Sequence, residues 1–428
     1  MNLLVVLVDC LRADVILRPR GDWPASVALA ARGACFANAY ATCPTTTPAV
    51  ASLLTGRYPS VHGVRALRGG ALAPEVPTVA ETLTRAAWRT WASVTGPLLD
   101  NVGVLRGFGE TEYRDVPDRS VHSPWGERAL ERVRADAQAG QPFFGLLHVW
   151  DVHGPRRYPP EYDRRRFGRN AYQRSYAAVD RWLARVVEAA GPETVVVLTG
   201  DHGQNLNLEP RNLGQEALLQ RMNIRLPTER LAAGVAARGA RSESKRLLRL
   251  APRSLWPHNQ TVLEPLVHVA LVVAGPGIAP GPRATPVSHV DLPPTFLDLA
   301  GIGDAGAGWQ GVSLAASLRE GSEPPAHPVV MEVGVGAPGG VRTVVQQAIR
   351  DGDWKLVTSL EDARVPDALY DLAADPGERR NLARERRDVV ARLKERLREL
   401  TSERFEAAAM SEEDDAILAE RLEELGYL

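Results

Sequence analysis

Asn2-Leu3-Leu4-Val5-Val6-Leu7-Val8-Asp9 decides the fold. An apolar run this short, with no polar alternation, reads as a parallel strand buried on both faces. It is too short to span a bilayer. It has no basic flank and no small-residue cleavage site, so a cytoplasmic location is expected. Asp9 is delivered at the carboxyl end of the run. A lone carboxylate there is costly to desolvate unless it is paired or metal-bound, the plainer alternative being a cap on the next turn. Further strand-like runs follow at Thr90–Val94, Phe143–Val149, Thr194–Thr199 and Val269–Val273. Helical spacing separates them at Pro77–Ala87, Ser120–Ala139 and Ala171–Ala190, with Pro77 suited to a first turn. Strands alternating with helices predict an α/β fold, a large mostly parallel sheet sandwiched by helices. Ligands bind such sheets beyond the carboxyl ends of the strands, where Asp9 and Asp201 both fall.

Composition narrows the classes. The 428 residues carry a formal net charge of −1, which argues against a bulk electrostatic pull toward nucleic acid or membrane. Three cysteines, Cys10, Cys35 and Cys43, are too few for a disulfide framework and read as reduced, mostly buried thiols. No nucleic-acid partner and no stable membrane insertion are expected, and homo-oligomerisation is left open.

The chemistry concentrates in Thr46-Thr47-Pro48-Ala49-Val50-Ala51-Ser52-Leu53-Leu54-Thr55-Gly56 and in Thr199-Gly200-Asp201-His202-Gly203. A hydroxyl is a poor nucleophile at neutral pH, and a divalent cation held by acids and imidazoles is one way to activate it. Thr46 falls at or near a helix start, where exposed N–H groups suit an anion.

On these residues the chain resembles the sulfatase / alkaline phosphatase superfamily. The nucleophile motif of the sulfatases, C/S-x-P-S-R-x-S-L-L-T-G, is matched in register by Thr46, Pro48 and Ser52-Leu53-Leu54-Thr55-Gly56, and Arg57-Tyr58-Pro59 continues it. Asn2–Asp9 resembles the N-terminal metal strand, His148-Val149-Trp150-Asp151-Val152-His153-Gly154-Pro155 the D-x-H-x-P-Y block, and Asp201-His202-Gly203 the second metal pair. Trp354-Lys355-Leu356, Leu369-Tyr370-Asp371-Leu372 and Asp375-Pro376-Gly377-Glu378 resemble the C-terminal subdomain. Each block alone is weak; their order along nearly the whole chain is the signal. The resemblance implies an alkaline-phosphatase-like catalytic domain over 1–325, with a basic insert at 206–256, and a smaller C-terminal α+β subdomain over 326–428. It implies metal ligation by Asp9, Thr46, Asp201 and His202, with Thr46 as nucleophile and His153 and His258 around the scissile group. The cofactor would be a divalent ion, Zn, Mn or Ca, at one tight site with room for a second. Asp151, His153 and His258 would serve that second site. The substrate would be a small anionic ester.

The departures are equally informative. Thr46 stands where a sulfatase has the Cys or Ser that becomes formylglycine, and Val50 stands in place of the arginine four residues on. Thr cannot become that aldehyde, and the residues around Cys43 lack the required pattern. Cys10 replaces the second N-terminal Asp. Thr nucleophiles occur in relatives that cleave phosphoesters. The resemblance therefore implies a metal-dependent hydrolase of phosphate mono- or diesters, or of phosphonate esters, working through a Thr46 covalent intermediate. The alternatives are a sulfatase acting without formylglycine and an inactive relative whose basic insert binds a partner. His62 and His289 are expected to be structural, Asp14 a cap or salt-bridge partner, Gln204 and Asn205 weak anion contacts. For Lys355, in a strand, the plain reading is a surface residue, while the family block it matches implies a role in the fold rather than in chemistry. After strands at Val329–Val333, Val344–Ile349 and Trp354–Val357, helices are expected at Ala383–Arg404 and Ser411–Leu425.

Overall fold

β1 (Asn2–Val8) is buried along its whole length, as its lack of alternation requires. The structure, a computed structural model, describes residues 1–206, 261–303, 308–337, 340–361 and 365–425. His258 and residues 207–256 of the basic insert lie outside the described residues. The remaining strands before residue 300 are β2 (Ala34–Phe36), β3 (Ala39–Tyr40), β4 (Arg89–Val94), β5 (Glu110–Tyr113), β6 (Phe143–Val149), β7 (Thr194–Gly200), β8 (His268–Val269), β9 (Leu271–Ala274), β10 (Gly281–Arg283) and β11 (Val287–Ser288). Eight of them form one sheet in the order β10-β2-β9-β7-β1-β6-β4-β5. β7, β1, β6, β4 and β5 are mutually parallel, while β9 runs antiparallel to both of its neighbours.

The side-chain period of two sorts each strand between the two faces of the sheet. Leu3, Val5 and Leu7 face one way with Phe144, Leu146, Val195 and Val197. They pack on the helices Thr46–Thr55, Val79–Arg85 and Leu292–Ala300. Leu4, Val6 and Val8 face the other way, against Pro124–Gln138 and Ala171–Ala190. The parallel sheet is thereby covered on both sides.

β12 (Val329–Ala337), β13 (Gly340–Asp351), β14 (Trp354–Thr358) and β15 (Ala368–Asp371) form a separate antiparallel sheet. Helix Arg387–Leu400 packs on it through Val389, Val390, Leu393 and Leu397. The same apolar cluster takes in Tyr58, Val61 and Val290, so the small sheet shares its core with the first part of the chain.

Three local expectations change. The run Val269–Val273 is broken at Ala270, and its longer piece is the reversed strand β9. Pro77 lies outside its helix. Thr78 caps Val79–Arg85 in a reciprocal capping box with Glu81, and a cap outranks a proline as the start signal. Lys355 is fully buried rather than a surface residue. Its ammonium lies 2.8 Å from Glu264 and 2.9 Å from Glu378, acids that are remote in sequence and therefore invisible to a local reading.

Candidate active site and metal centre

The register of the central strands builds the site. Val8 pairs with Gly200 across β1 and β7, so the next residues, Asp9 and Asp201, emerge side by side. Asp9 continues the face of Leu3, Val5 and Leu7, and Asp201 that of Val195 and Val197. His148 pairs in register with the neighbour strand at Leu7 and continues Phe144 and Leu146 onto the same face. Gly200 and Gly203 flank the acid–imidazole pair because the chain passes too close for a side chain. A Cβ at either would lie 2.4 Å from the Leu11 carbonyl or 2.2 Å from that of Pro265.

Helix Thr46–Thr55 supplies the hydroxyl. All ten of its residues are buried, and Leu53 and Leu54, fully enclosed, each contribute roughly 1.5–3 kcal/mol by leaving water. Thr46 is the first helical residue, so the open N–H groups of the first turn face the carboxyl ends of the strands. Thr46 donates to Asp9 Oδ2 at 3.3 Å, and its Oγ1 lies 3.5 Å from His202 Nε2. His202 Nε2 is 3.5 Å from Asp201 Oδ2 and 3.8 Å from Asp9 Oδ1. Val50, at the place of the motif arginine, is fully buried in the apolar core.

The hydrogen-bond partners of the imidazoles and acids suit a cation among them. His202 Nδ1 lies 2.8 Å from the Gly203 carbonyl, which only accepts, so Nδ1 carries a proton and Nε2 is the ring atom that faces the acids. His148 Nδ1 faces the Thr95 carbonyl at 3.2 Å, and its Nε2 stands 3.5 Å from Asp9 Oδ2 with no hydrogen-bond partner. Asp201 Oδ1 accepts from the backbone N–H groups of Cys10 and His202, while the buried Oδ2 accepts none. Donor atoms 3.3–3.8 Å apart are spaced as ligands around one ion at about 2.0–2.4 Å. One oxygen or nitrogen from each of Asp9, Asp201 and His202 lies within 4.8 Å of the others, a set fit to hold a divalent cation.

The titration behaviour agrees. Burial by itself would raise Asp9, yet His153, His148 and His202 outweigh it and hold the carboxyl below the usual carboxylate range. Burial, together with the charge of Asp9, lifts Asp201. His202 is raised despite its burial because both acids favour its charged form. The acids and imidazoles together favour positive charge among them.

His153 lies beside Asp9 and stacks on Trp150 with ring centroids 4.2 Å apart. Its burial lowers the imidazole to about 4, so the ring is neutral at neutral pH. Asp151 does not join the centre. Its carboxylate accepts from the Ser120 hydroxyl and from the Val121 N–H at 3.1 Å, which removes it from the second-metal set. Cys43 is a fully buried thiol pushed up to about 12 by that burial, an unreactive neighbour of Thr45. His62 and His289 are structural, held to Ser52 at 3.0 Å and Thr199 at 3.3 Å, both lowered to about 3 by burial. Asp14 pairs with Arg12 at 2.8 Å.

Two neighbours escaped the sequence reading. His148 looks like one polar residue in a core strand, and only its parity with Phe144 and Leu146 marks it. Arg156 is buried, donates to the Val152 carbonyl at 3.0 Å and acts electrostatically on both His153 and Cys10. A guanidinium at that place suits an anionic substrate.

A family model described as Sulfatase matches residues 1–302. The chain belongs to the sulfatase family. A second model, described as N-sulphoglucosamine sulphohydrolase, C-terminal, matches residues 255–403. The chain is 28% identical to a choline-sulfatase of Rhizobium meliloti (strain 1021), over 91% of this chain and 83% of that protein. Arylsulfatase K of Danio rerio is 32% identical over 33% of this chain and 27% of its own length. Among solved structures, Ps i-CgsB in complex with k-i-k-neocarrahexaose superposes with a TM-score of 0.70 at 17% identity, covering 100% of this chain and 99% of that one. A phosphonate monoester hydrolase of Agrobacterium radiobacter superposes at 0.69 with 19% identity, covering 94% and 95%. The protein is a sulfatase-family hydrolase. Among the described residues no helix is long and apolar enough to cross a membrane.

Proposed function

We propose that the protein is a metal-dependent hydrolase of small phosphate mono- or diesters, or of phosphonate esters, with Thr46 as its nucleophile. One observation carries this reading: the Thr46 hydroxyl sits 3.3 Å from Asp9 and 3.5 Å from His202, at the mouth of a buried acid–imidazole centre. Asp9, Asp201, His202 and the Thr46 oxygen would hold the ion, which when bound favours the ionised hydroxyl and neutralises charge on the ester. The Thr46 hydroxyl is oriented by Asp9 Oδ2, and its proton passes to solvent water, since a carboxyl held below the usual range is a weak base. Oγ1 then attacks phosphorus in line, the bond to the departing oxygen breaks as that oxygen takes a proton from water to leave as the alcohol, and a phosphothreonine forms. His153, neutral and held flat on Trp150, hydrogen-bonds the departing oxygen, while the first-turn N–H groups and Arg156 hold the remaining anionic oxygens. Water then attacks phosphorus and releases Thr46. A threonine ester has no aldehyde hydrate through which to eliminate, so attack at the central atom is its way out, and phosphorus accepts such attack readily. On this reading residues 1–325 form the catalytic unit and 326–428 the small subdomain.

A sulfate ester is the second reading, favoured by the likeness to a choline-sulfatase across 91% of the chain. Chromogenic phosphate mono- and diesters, phosphonates and sulfates, each tested with Zn, Mn, Ca or Mg, separate the two. Fastest turnover on phosphorus esters, with a phosphate adduct on Thr46 by intact mass, is expected. Fastest turnover on sulfate esters would install the second reading. Neither turnover nor a bound ion would favour an inactive, partner-binding relative.

A further inference from the structure

Cys10 does what a spacer residue would not. It is one of three non-glycine residues with a left-handed backbone among the described residues, at φ +63°. Such a conformation suits glycine and costs a side chain about 1 kcal/mol or more. Its N–H donates to Asp201 Oδ1 at 3.0 Å, and its carbonyl accepts from the Tyr172 hydroxyl at 2.9 Å, so the backbone is pinned from both sides. That strain turns the thiol inward. Sγ lies 3.0 Å from Asp9 Oδ1 and 3.8 Å from His202 Nδ1. One donor atom from each of Asp9, Cys10 and His153 lies within 4.8 Å of the other two, and all three residues are buried.

We propose that Cys10 is a sulfur ligand, forming with Asp9 and His153 a second cation site that shares Asp9 with the Asp9–Asp201–His202 site. This rests on the metal-dependent reading above and names its second ion. Thiolate, imidazole and carboxylate together select a borderline ion such as Zn rather than Ca or Mg, which take oxygen ligands. The charge balance fits the substrate. With the Thr46 oxygen ionised, two divalent ions balance Asp9, Asp201, the thiolate and that oxygen, whereas a single ion with a protonated thiol leaves one negative charge in excess. An anionic ester is better held by the first arrangement.

The test is cobalt loading of the full chain, read by elemental analysis and absorption. The expected result is two ions per chain and a near-ultraviolet sulfur-to-cobalt charge-transfer band. In Cys10→Ser the band disappears and one ion remains. Cys10→Gly guards against misfolding, since glycine relieves the strained backbone. It should melt at or above the parent temperature without metal, yet lose the band and the second ion. His153→Ala should lower the stoichiometry in the same way. One ion per chain with no sulfur band in the parent protein, or a stoichiometry unchanged by either Cys10 substitution, overturns the second site and leaves the first standing. No bound ion at all overturns both.

Discussion

Two buried charge clusters in this molecule are built from similar acids and reach opposite ends. Around Lys355, an ammonium with no exposure lies 2.8 Å from Glu264 and 2.9 Å from Glu378, and Tyr40 donates to Glu264 at 2.8 Å. That cluster carries its own cation. Around Asp9, the neighbours are Asp201, His148 and His202, whose inward atoms are carboxylate oxygens and ring nitrogens. That cluster offers a set of ligand atoms fit for a divalent cation. Both lie in a low-dielectric interior where an unmatched charge costs several kcal/mol. The cluster with its own ammonium fastens the small sheet to the larger part of the chain; the acid–imidazole one is where an external ion and an anionic ester belong.

Removing the hydroxyl at the acid–imidazole centre gives the largest expected effect. Thr46→Ala should lower kcat by at least about three orders of magnitude, roughly 4 kcal/mol in barrier, with the melting temperature nearly unchanged. A variant with parental turnover on every ester class would sink the nucleophile assignment. Removing the cation from the Lys355 cluster should act on stability instead. Lys355→Met strands two buried carboxylates and should cost about 3–5 kcal/mol in denaturant unfolding, while the folded fraction keeps its turnover per molecule. If the two substitutions exchanged these signatures, the division of roles between the clusters would be wrong.

A third measurement sharpens the comparison within the active centre. His148→Asn should weaken divalent-ion affinity by about 10–100-fold, by titration with a competing chelator, because His148 presents Nε2 to Asp9 at 3.5 Å. An unchanged affinity would make His148 a core histidine. The smallest effect concerns pH. His327 sits 3.0 Å from Asp291, and although burial opposes its charge, the carboxylate raises the imidazole above its ordinary value. The stability this pair contributes is complete below about pH 6.5 and is lost as pH rises through the raised folded value. His327→Gln should remove that slope, worth under about 1 kcal/mol. A parent melting temperature flat across that range would deny the pair any role.

Much of the sheet was legible because buried parallel strands are runs without alternation: Phe143–Val149 and the helix Ala171–Ala190 stand where the pattern puts them. The reversed strand β9 was not, because an apolar run reads the same in either direction. Two- and three-residue strands such as β2, β3, β8, β10 and β11 are too short to carry a period. In the site, Asp9, Thr46, Asp201 and His202 come from ordered motifs, and the structure gathers them. His153 joins beside Asp9, whereas Asp151 turns away to Ser120. His148 hid because a histidine in an apolar strand looks like core until its register against Leu7 is known. The burial of Lys355 is not legible locally because its partners are far away along the chain, although the block it matches does imply a role in the fold.

Asp9 and Asp201 follow hydrogen-bonded neighbours in adjacent strands, paired at Val8 and Gly200. Their separation is therefore set by the ladder spacing of a sheet, about 4.8 Å, rather than by any loop. Walls around the pocket are free to be redrawn for a new ester without recalibrating the seat of the ion.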